Sequence, residues 1–233
     1  MNVVITGATK GIGLAIAEKL ASRNYNLCLC SRNLEDLNQV RSKLLKLNPD
    51  IKIFVRQTDV SDKSDVVEFG SFCLENFDKI DGLVNNAGVF IPGMIHEEGD
   101  GALEKMIETN LYSAYHLTRK LVKGMISQRS GYIINISSIA GFMAYPNGGS
   151  YSISKFALSG FSKVLREELK DYGIKVTTIM PGATWSNSWE GVDLPKERLM
   201  QASDIAEAVS SLFDMSPSAV VEEIIIRPQQ GDL

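Results

Sequence analysis

The sequence predicts an α/β fold in one domain, a doubly wound parallel sheet of about seven strands with helices on both faces. Short apolar runs alternate with amphipathic helical patterns along the whole 233-residue chain, and strands separated by helices form parallel βαβ units. The strands are continuous apolar runs, as expected for a sheet whose two faces are both covered.

The predicted elements follow one another without a linker, an internal repeat or a low-complexity tract. The seven strands are predicted at residues 3–6, 26–30, 51–55, 82–85, 132–137, 175–180 and 222–227. The helices are predicted at residues 11–23, 34–47, 63–77, 102–128, 151–172 and 204–214. Local signals set their limits: Ser61 or Asp62 and Ser203 as caps, and Asn48-Pro49 and Gly173 as stops.

Composition argues against nucleic-acid and membrane partners and favours a cytoplasmic protein. A formal net charge of −4 argues against general affinity for nucleic acid or an anionic membrane. The sequence contains no run of 18 apolar residues that could span a bilayer, and its first residues read as a strand, so we expect no signal peptide.

Three cysteines cannot all pair within the chain. Cys28 and Cys30 lie in an apolar run that predicts a buried strand, and we expect their side chains on opposite faces of the sheet. A core role in a reducing compartment is favoured over a metal or redox site, and no residue cluster has metal-ligand spacing.

Tyr151 and Lys155 are four positions apart and share one face of a predicted helix. A neighbouring ammonium favours the phenolate, so we expect Lys155 to lower the pKa of Tyr151 into the range of acid–base catalysis. The pair lies 13 and 41 positions after Ser138 and Asn110 and far downstream of the glycine-rich loop at residues 6–13. Together these motifs closely resemble the short-chain dehydrogenase/reductase family, over almost the whole chain.

The resemblance implies a Rossmann-type fold with a cofactor half at residues 1–135 and a catalytic half at residues 136–233. It also implies hydride transfer to a carbonyl carbon, with Tyr151 as the acid and Ser138 orienting the substrate oxygen. Lys155 would bind the nicotinamide ribose, and Asn110 would lie in a distorted helix and hold a water that relays protons. Family members pair such helices between subunits, which implies a homodimer or homotetramer.

The glycine-rich loop lies between the first strand and the first helix, where backbone N–H groups and the helix dipole bind a pyrophosphate. Its residues expected at the cofactor are Gly7, Thr9, Lys10, Gly11, Ile12 and Gly13. NAD-preferring proteins usually place an acidic residue after the second strand, whereas this chain has Ser31-Arg32. Arg32 and Lys10 suit a 2′-phosphate, so the predicted cofactor is NADP(H). The alternative is that Arg32 and Lys10 are solvated surface charges without a ligand.

Further family matches extend the cofactor site. Asp59-Val60 resembles the pair at the adenine, Asn86-Ala87-Gly88 belongs to the family's N-N-A-G motif, and Pro181-Gly182 resembles the pair beside the nicotinamide. Ser186 stands where the family often has the threonine that binds the carboxamide. The resemblance implies that Tyr151 and Lys155 also contact the cofactor.

Aromatic and sulfur-containing side chains in the loops after the strands predict an apolar substrate pocket, although each could instead pack in the core. They are Phe90, Met94, Phe142, Tyr145, Trp185 and Trp189. The resemblance implies a ketone or aldehyde reductase acting on a small carbonyl or alcohol. The alternatives are a 3-oxoacyl-carrier-protein reductase, a non-catalytic NADPH-binding redox sensor and a methyltransferase-like protein.

Overall fold

The computed structural model describes residues 1–185 and 195–232. The strands are β1 Asn2–Thr6, β2 Asn26–Ser31, β3 Ile53–Gln57, β4 Gly82–Asn85, β5 Gly131–Ile136, β6 Ile174–Pro181 and β7 Glu223–Ile226. The helices are α1 Gly11–Ser22, α2 Leu34–Leu47, α3 Lys63–Asn76, α4 Ala102–Ile107, α5 Ser113–Gln128, α6 Gly149–Leu169 and α7 Ala202–Leu212. No helix in these described ranges combines the length and apolarity needed to cross a bilayer.

The strands form one parallel sheet in the order β3-β2-β1-β4-β5-β6-β7. The order reverses between β1 and β4, where open α/β sheets bind their ligands beyond the carboxyl ends of the strands. One face of the sheet packs on α1, α2 and α7, and the other packs on α3, α5 and α6. This doubly wound, Rossmann-type architecture confirms the predicted fold class.

Several boundaries differ from the predicted ones by a few residues. β3 begins at Ile53 because its register follows the pairing with β2, and α6 begins at Gly149, two residues before the predicted start. Asp62 caps α3 by accepting a hydrogen bond from Asp65 N at 2.9 Å. The expected Ser203 cap is wrong, because α7 begins at Ala202 in a capping box formed by Gln201 and Asp204.

The helix predicted at residues 102–128 is interrupted. Between α4 and α5, the segment Glu108–Tyr112 forms a π-helical turn, in which hydrogen bonds span five residues instead of four. Asn110 lies at the centre of this turn and is buried. The distortion that the family resemblance implied for this helix is therefore present.

The expected orientation of Cys28 and Cys30 is wrong. Residues two apart in a strand project from the same face, and both cysteines lie in the core between the sheet and α3. The Cys28 sulfur is 3.3 Å from that of Cys73, and all three cysteines are buried free thiols. Their packing role in the core follows from this burial.

Candidate active site

Three of the predicted catalytic side chains meet where β5 ends and α6 begins. Ser138 follows β5, where its hydroxyl accepts a hydrogen bond from Ala140 N at 3.1 Å and caps a short 3-10 turn. Its hydroxyl is also close enough to Tyr151 to lower the pKa of that phenol. One turn further along α6, Lys155 places its Nζ atom 5.7 Å from the centre of the Tyr151 ring. The structure thus brings a hydroxyl, a phenol and an amine together.

Lys155 is buried at the bottom of this cluster, with 4% of its surface exposed. Its ammonium donates a hydrogen bond to the Ile136 carbonyl at 3.0 Å. Burial disfavours the charged form and lowers the pKa of Lys155 to about 8. The side chain is therefore poised to change its charge near neutral pH.

The expected low pKa of Tyr151 is not what the structure shows. Burial raises the pKa of Tyr151 to about 12, and the nearby Ser138 hydroxyl opposes this rise only in part. The reason is desolvation, because the ring lies under Phe90 in an edge-on contact with 4.8 Å between centroids. Without a bound cofactor, the hydroxyl is a neutral phenol throughout the physiological pH range.

Asn110 connects the catalytic helix to the loop after β4. Its Oδ1 accepts from Val89 N at 2.7 Å, and its Nδ2 donates to Val89 O at 3.0 Å. The same Nδ2 donates to the Ser154 hydroxyl at 2.9 Å, and that hydroxyl donates to the Tyr151 carbonyl at 2.7 Å. Sequence reasoning missed Ser154, although its position between Tyr151 and Lys155 gave a signal.

The glycine-rich loop has the shape that a bound phosphate requires. Gly7 and Gly11 have φ angles of +67° and +53°, in the left-handed region that glycine adopts readily. A Cβ at Gly7 would lie 3.0 Å from Ala87 Cα, and a Cβ at Gly13 would overlap the Gly7 carbonyl. Asn86 holds the loop in place, because its Nδ2 donates to Thr6 O at 2.9 Å and to Gly7 O at 3.1 Å.

The N-terminus of α1 is open to an anion. Lys10 is its N-cap and provides no side-chain hydrogen bond to the helix, and the first turn contains no acidic residue. Thr9, Gly11 and Ile12 are partly exposed around this helix end. Helix N-termini with free N–H groups bind phosphates, so the residues present fit a dinucleotide.

The residues expected at the adenosine end of the cofactor lie beyond β2 and β3. Ser31 ends β2, and Arg32 follows it with an exposed side chain. Asp59 accepts hydrogen bonds from Ser61 Oγ at 2.7 Å and Ser61 N at 3.0 Å, and these bonds hold the pKa of its carboxyl below the usual range. The positive charge of Arg32 acts on Asp59 in the same direction. Val60 packs partly against the core.

The remaining cofactor positions fall at the same edge of the sheet. A Cβ at Gly88 would lie 3.2 Å from Asn110 Oδ1 and 3.6 Å from Lys155 Nζ, so this loop touches the catalytic cluster. Pro181 ends β6, and Gly182 N donates to the Ile226 carbonyl at 2.8 Å. Ser186 and Trp189 lie outside the described residues.

The predicted substrate side chains are not all brought together. Phe90 contacts the Tyr151 ring, and Tyr145 is close enough for its charge to act on Tyr151. Met94 and Phe142 expose 40% and 42% of their surfaces, and Trp185 is half-buried where its N donates to the Met200 carbonyl. For the part of the chain that the structure describes, no group of three or more His, Cys, Asp or Glu residues could hold a metal ion.

Comparison with known proteins agrees with this Rossmann-type architecture. The family model described as short chain dehydrogenase matches residues 1–195. An uncharacterized oxidoreductase of Staphylococcus epidermidis is 32% identical over 225 residues, covering 97% of this chain and 96% of that protein. The sepiapterin reductase of Chlorobaculum tepidum is 34% identical over 240 residues, covering 99% and 97%.

A solved structure is similar along nearly the whole chain. The alcohol dehydrogenase from the archaeon Thermococcus sibiricus, complexed with 5-hydroxy-NADP, superposes with a TM-score of 0.90 at 29% identity, covering 98% of this chain and 96% of that one. The chain belongs to the short-chain dehydrogenase family and is an oxidoreductase of that family.

Replacing Gly13 by alanine is expected to lower the free energy of unfolding by about 2 kcal/mol and to weaken nucleotide binding. The new Cβ would overlap the Gly7 carbonyl and the Asn86 amide, so the glycine-rich loop must shift. Denaturant unfolding and nucleotide titration measure both effects. The control is Gly124→Ala in α5, where a Cβ meets only the end of Gln128 at 3.8 Å and should stabilise the helix by about 0.5–1 kcal/mol. A Gly13→Ala variant as stable as the parent would contradict the description of this loop.

Proposed function

We propose that the protein is an NADPH-dependent oxidoreductase that reduces a ketone or an aldehyde to an alcohol. The observation that carries this proposal is the cluster of Ser138, Tyr151 and Lys155, with the Ser138 hydroxyl beside the phenol and the amine 5.7 Å from the tyrosine ring. Proton transfer from a positioned side chain is the contribution that carbonyl reduction requires of the protein.

In this proposal, Tyr151 donates a proton to the substrate oxygen. Because burial raises the pKa of Tyr151 to about 12, the hydroxyl carries its proton at neutral pH and is ready to donate it. Ser138 holds the substrate oxygen through its hydroxyl, and Lys155 stabilises the tyrosinate that forms. NADPH, when bound, supplies the hydride.

The residues placed to hold NADPH are those of the glycine-rich loop and of the edge beyond β2. Gly7, Gly11 and Gly13 give the loop the shape that admits a pyrophosphate. Arg32, exposed after β2, supplies a cation where an NAD-binding protein usually has a carboxylate. The complex of the Thermococcus sibiricus relative with 5-hydroxy-NADP supports this choice of cofactor.

Replacing Arg32 by alanine is expected to weaken NADPH binding by about 10- to 100-fold, because a charge-assisted hydrogen bond to the 2′-phosphate is lost. NADH has no such phosphate, so its binding should change by less than about twofold. Fluorescence titration with both nucleotides measures the two constants. Arg41→Ala is the matched control, since Arg41 is an exposed arginine on α2. An equal loss for NADH and NADPH would show that Arg32 does not contact the phosphate.

The reaction is tested by measuring NADPH consumption with ketones, aldehydes, diketones, quinones and β-keto thioesters, with NADH in parallel. Sepiapterin belongs in the panel because the relative from Chlorobaculum tepidum is named for its reduction. Turnover that requires NADPH supports the proposal. Tight NADPH binding without reduction of any compound would instead favour the redox-sensor alternative.

We also propose a cytoplasmic homodimer or homotetramer. Large apolar side chains are exposed on α5 and α6, where Tyr115, Phe156 and Val164 leave 37%, 45% and 53% of their surfaces uncovered. Such apolar area on paired helices suits an interface between copies of the chain. Light scattering with size-exclusion chromatography determines the number of subunits.

A further inference from the structure

The catalytic helix α6 begins without a capping side chain of its own. Its N-cap residue is Gly148, which provides no side-chain hydrogen bond, and its first turn contains no acidic residue. The first N–H groups of a helix need acceptors, and a negative charge near them is favourable. An acceptor from elsewhere in the chain is therefore required at this end.

Glu98 provides that acceptor from the loop after β4, 52 residues earlier in the chain. One carboxylate oxygen accepts from Ser150 N at 2.8 Å, and the other accepts from the Ser150 hydroxyl. Both oxygens are thus engaged by one residue of the first turn of α6. The residue that follows Ser150 is Tyr151.

Two glycines make room for this contact. Gly149 has a φ of +24°, and a Cβ there would overlap the Glu98 carboxylate. A Cβ at Gly93 would lie 2.7 Å from Glu98 Cγ. The loop is tied to the segment before α6 at a second place, because Gly93 N donates to the Asn147 carbonyl at 3.1 Å. The loop is therefore docked closely against the start of the helix.

We propose that Glu98 is a positioning residue that fixes the first turn of α6, and with it the Tyr151 hydroxyl, in the orientation needed for proton donation. The same loop carries Phe90, whose ring packs on that of Tyr151, so the contact between Glu98 and Ser150 also fixes the position of Phe90 over the phenol. The inference rests on the proposed reduction and deepens it. Sequence reasoning gave no signal, since a carboxylate in an irregular loop has no motif.

Replacing Glu98 by alanine is expected to lower kcat by about 10- to 100-fold while leaving the Kd for NADPH within about twofold, because the acid moves and the cofactor loop does not. Glu98→Gln keeps the size and one acceptor, and its amide can donate to the Ser150 hydroxyl, so kcat should return to within about threefold of the parent. Glu97→Ala is the control, since Glu97 is the neighbouring exposed carboxylate, 3.6 Å from His96.

Hydrogen exchange followed by mass spectrometry tests the anchor without any turnover. In Glu98→Ala, the backbone amides of residues 147–152 should exchange faster, while those of the glycine-rich loop should be unchanged. Unchanged exchange at residues 147–152 overturns the inference, even if the reduction itself is established. Loss of NADPH binding in step with kcat, or a glutamine variant as slow as alanine, also overturns it. Faster exchange in a protein that reduces nothing would count against the reductase proposal alone.

Discussion

Replacing Tyr151 by phenylalanine is expected to lower kcat by about 100- to 10,000-fold, the range that a positioned general acid contributes. Phenylalanine keeps the ring that packs against Phe90 and removes only the hydroxyl that lies beside Ser138. The Kd for NADPH should stay within about threefold, because the glycine-rich loop lies on other elements. Steady-state kinetics with the best compound of the panel and a nucleotide titration measure the two quantities.

The control for this experiment is Tyr172→Phe, which removes a hydroxyl from an exposed tyrosine beyond the end of α6. Its kcat should match that of the parent. If Tyr151→Phe retained more than about a tenth of the parental kcat, another group would have to be the acid.

Replacing Lys155 by methionine is expected to remove turnover and to make the nucleotide-free protein more stable at pH 7. Burial lowers the pKa of Lys155 from 10.5 to about 8, so holding its charge in the fold costs about 3 kcal/mol. Loss of the hydrogen bond to the Ile136 carbonyl offsets about 1 kcal/mol of this gain. We expect a net gain of about 2 kcal/mol in the free energy of unfolding, with kcat lower by about 100-fold or more.

The pH dependence gives the sign of this effect. Between pH 8 and 10.5 the unfolded chain holds the lysine proton and the folded protein has lost it, so the parent gains stability as the pH rises. The part of the stability gain that comes from removing the buried charge in Lys155→Met is therefore full below pH 8 and gone above 10.5. Denaturant unfolding at several pH values measures it, with Lys163→Met, an exposed lysine of the same helix, as the control. A variant less stable than the parent at pH 7 would contradict this.

The order of strands and helices was predictable because it depends on patterns local in sequence. Apolar runs and turn residues located every strand to within a few residues, and the Tyr151–Lys155 spacing on one helix brought these side chains together. The cap of α7 was misplaced because Gln201 and Asp204 act as a reciprocal pair, which a search for a single serine overlooks.

What the sequence did not predict depends on contacts between distant segments. The pKa of Tyr151 is set by burial under a loop about 60 positions earlier, and the charge of its helical neighbour does not outweigh that burial. The contacts of Asn110 with Val89 and of Glu98 with Ser150 likewise join parts of the chain that no local pattern connects. The expectation that Cys28 and Cys30 project from opposite faces of the sheet did not fail for this reason; it misapplied the two-residue period of a strand.

The π-helical turn at residues 108–112 contains one residue more than an α-helical turn would need to connect α4 and α5. Deleting any one residue there would close the wide turn into an ordinary α-helical turn, with little rotation of α4 relative to α5, because the π-helical turn already absorbs the extra residue. Asn110 would then turn away from the backbone of Val89, and the bridge through Ser154 to Tyr151 would open. The number of residues in the helix at this point is therefore tied to the contacts that Asn110 makes with Val89 and Ser154.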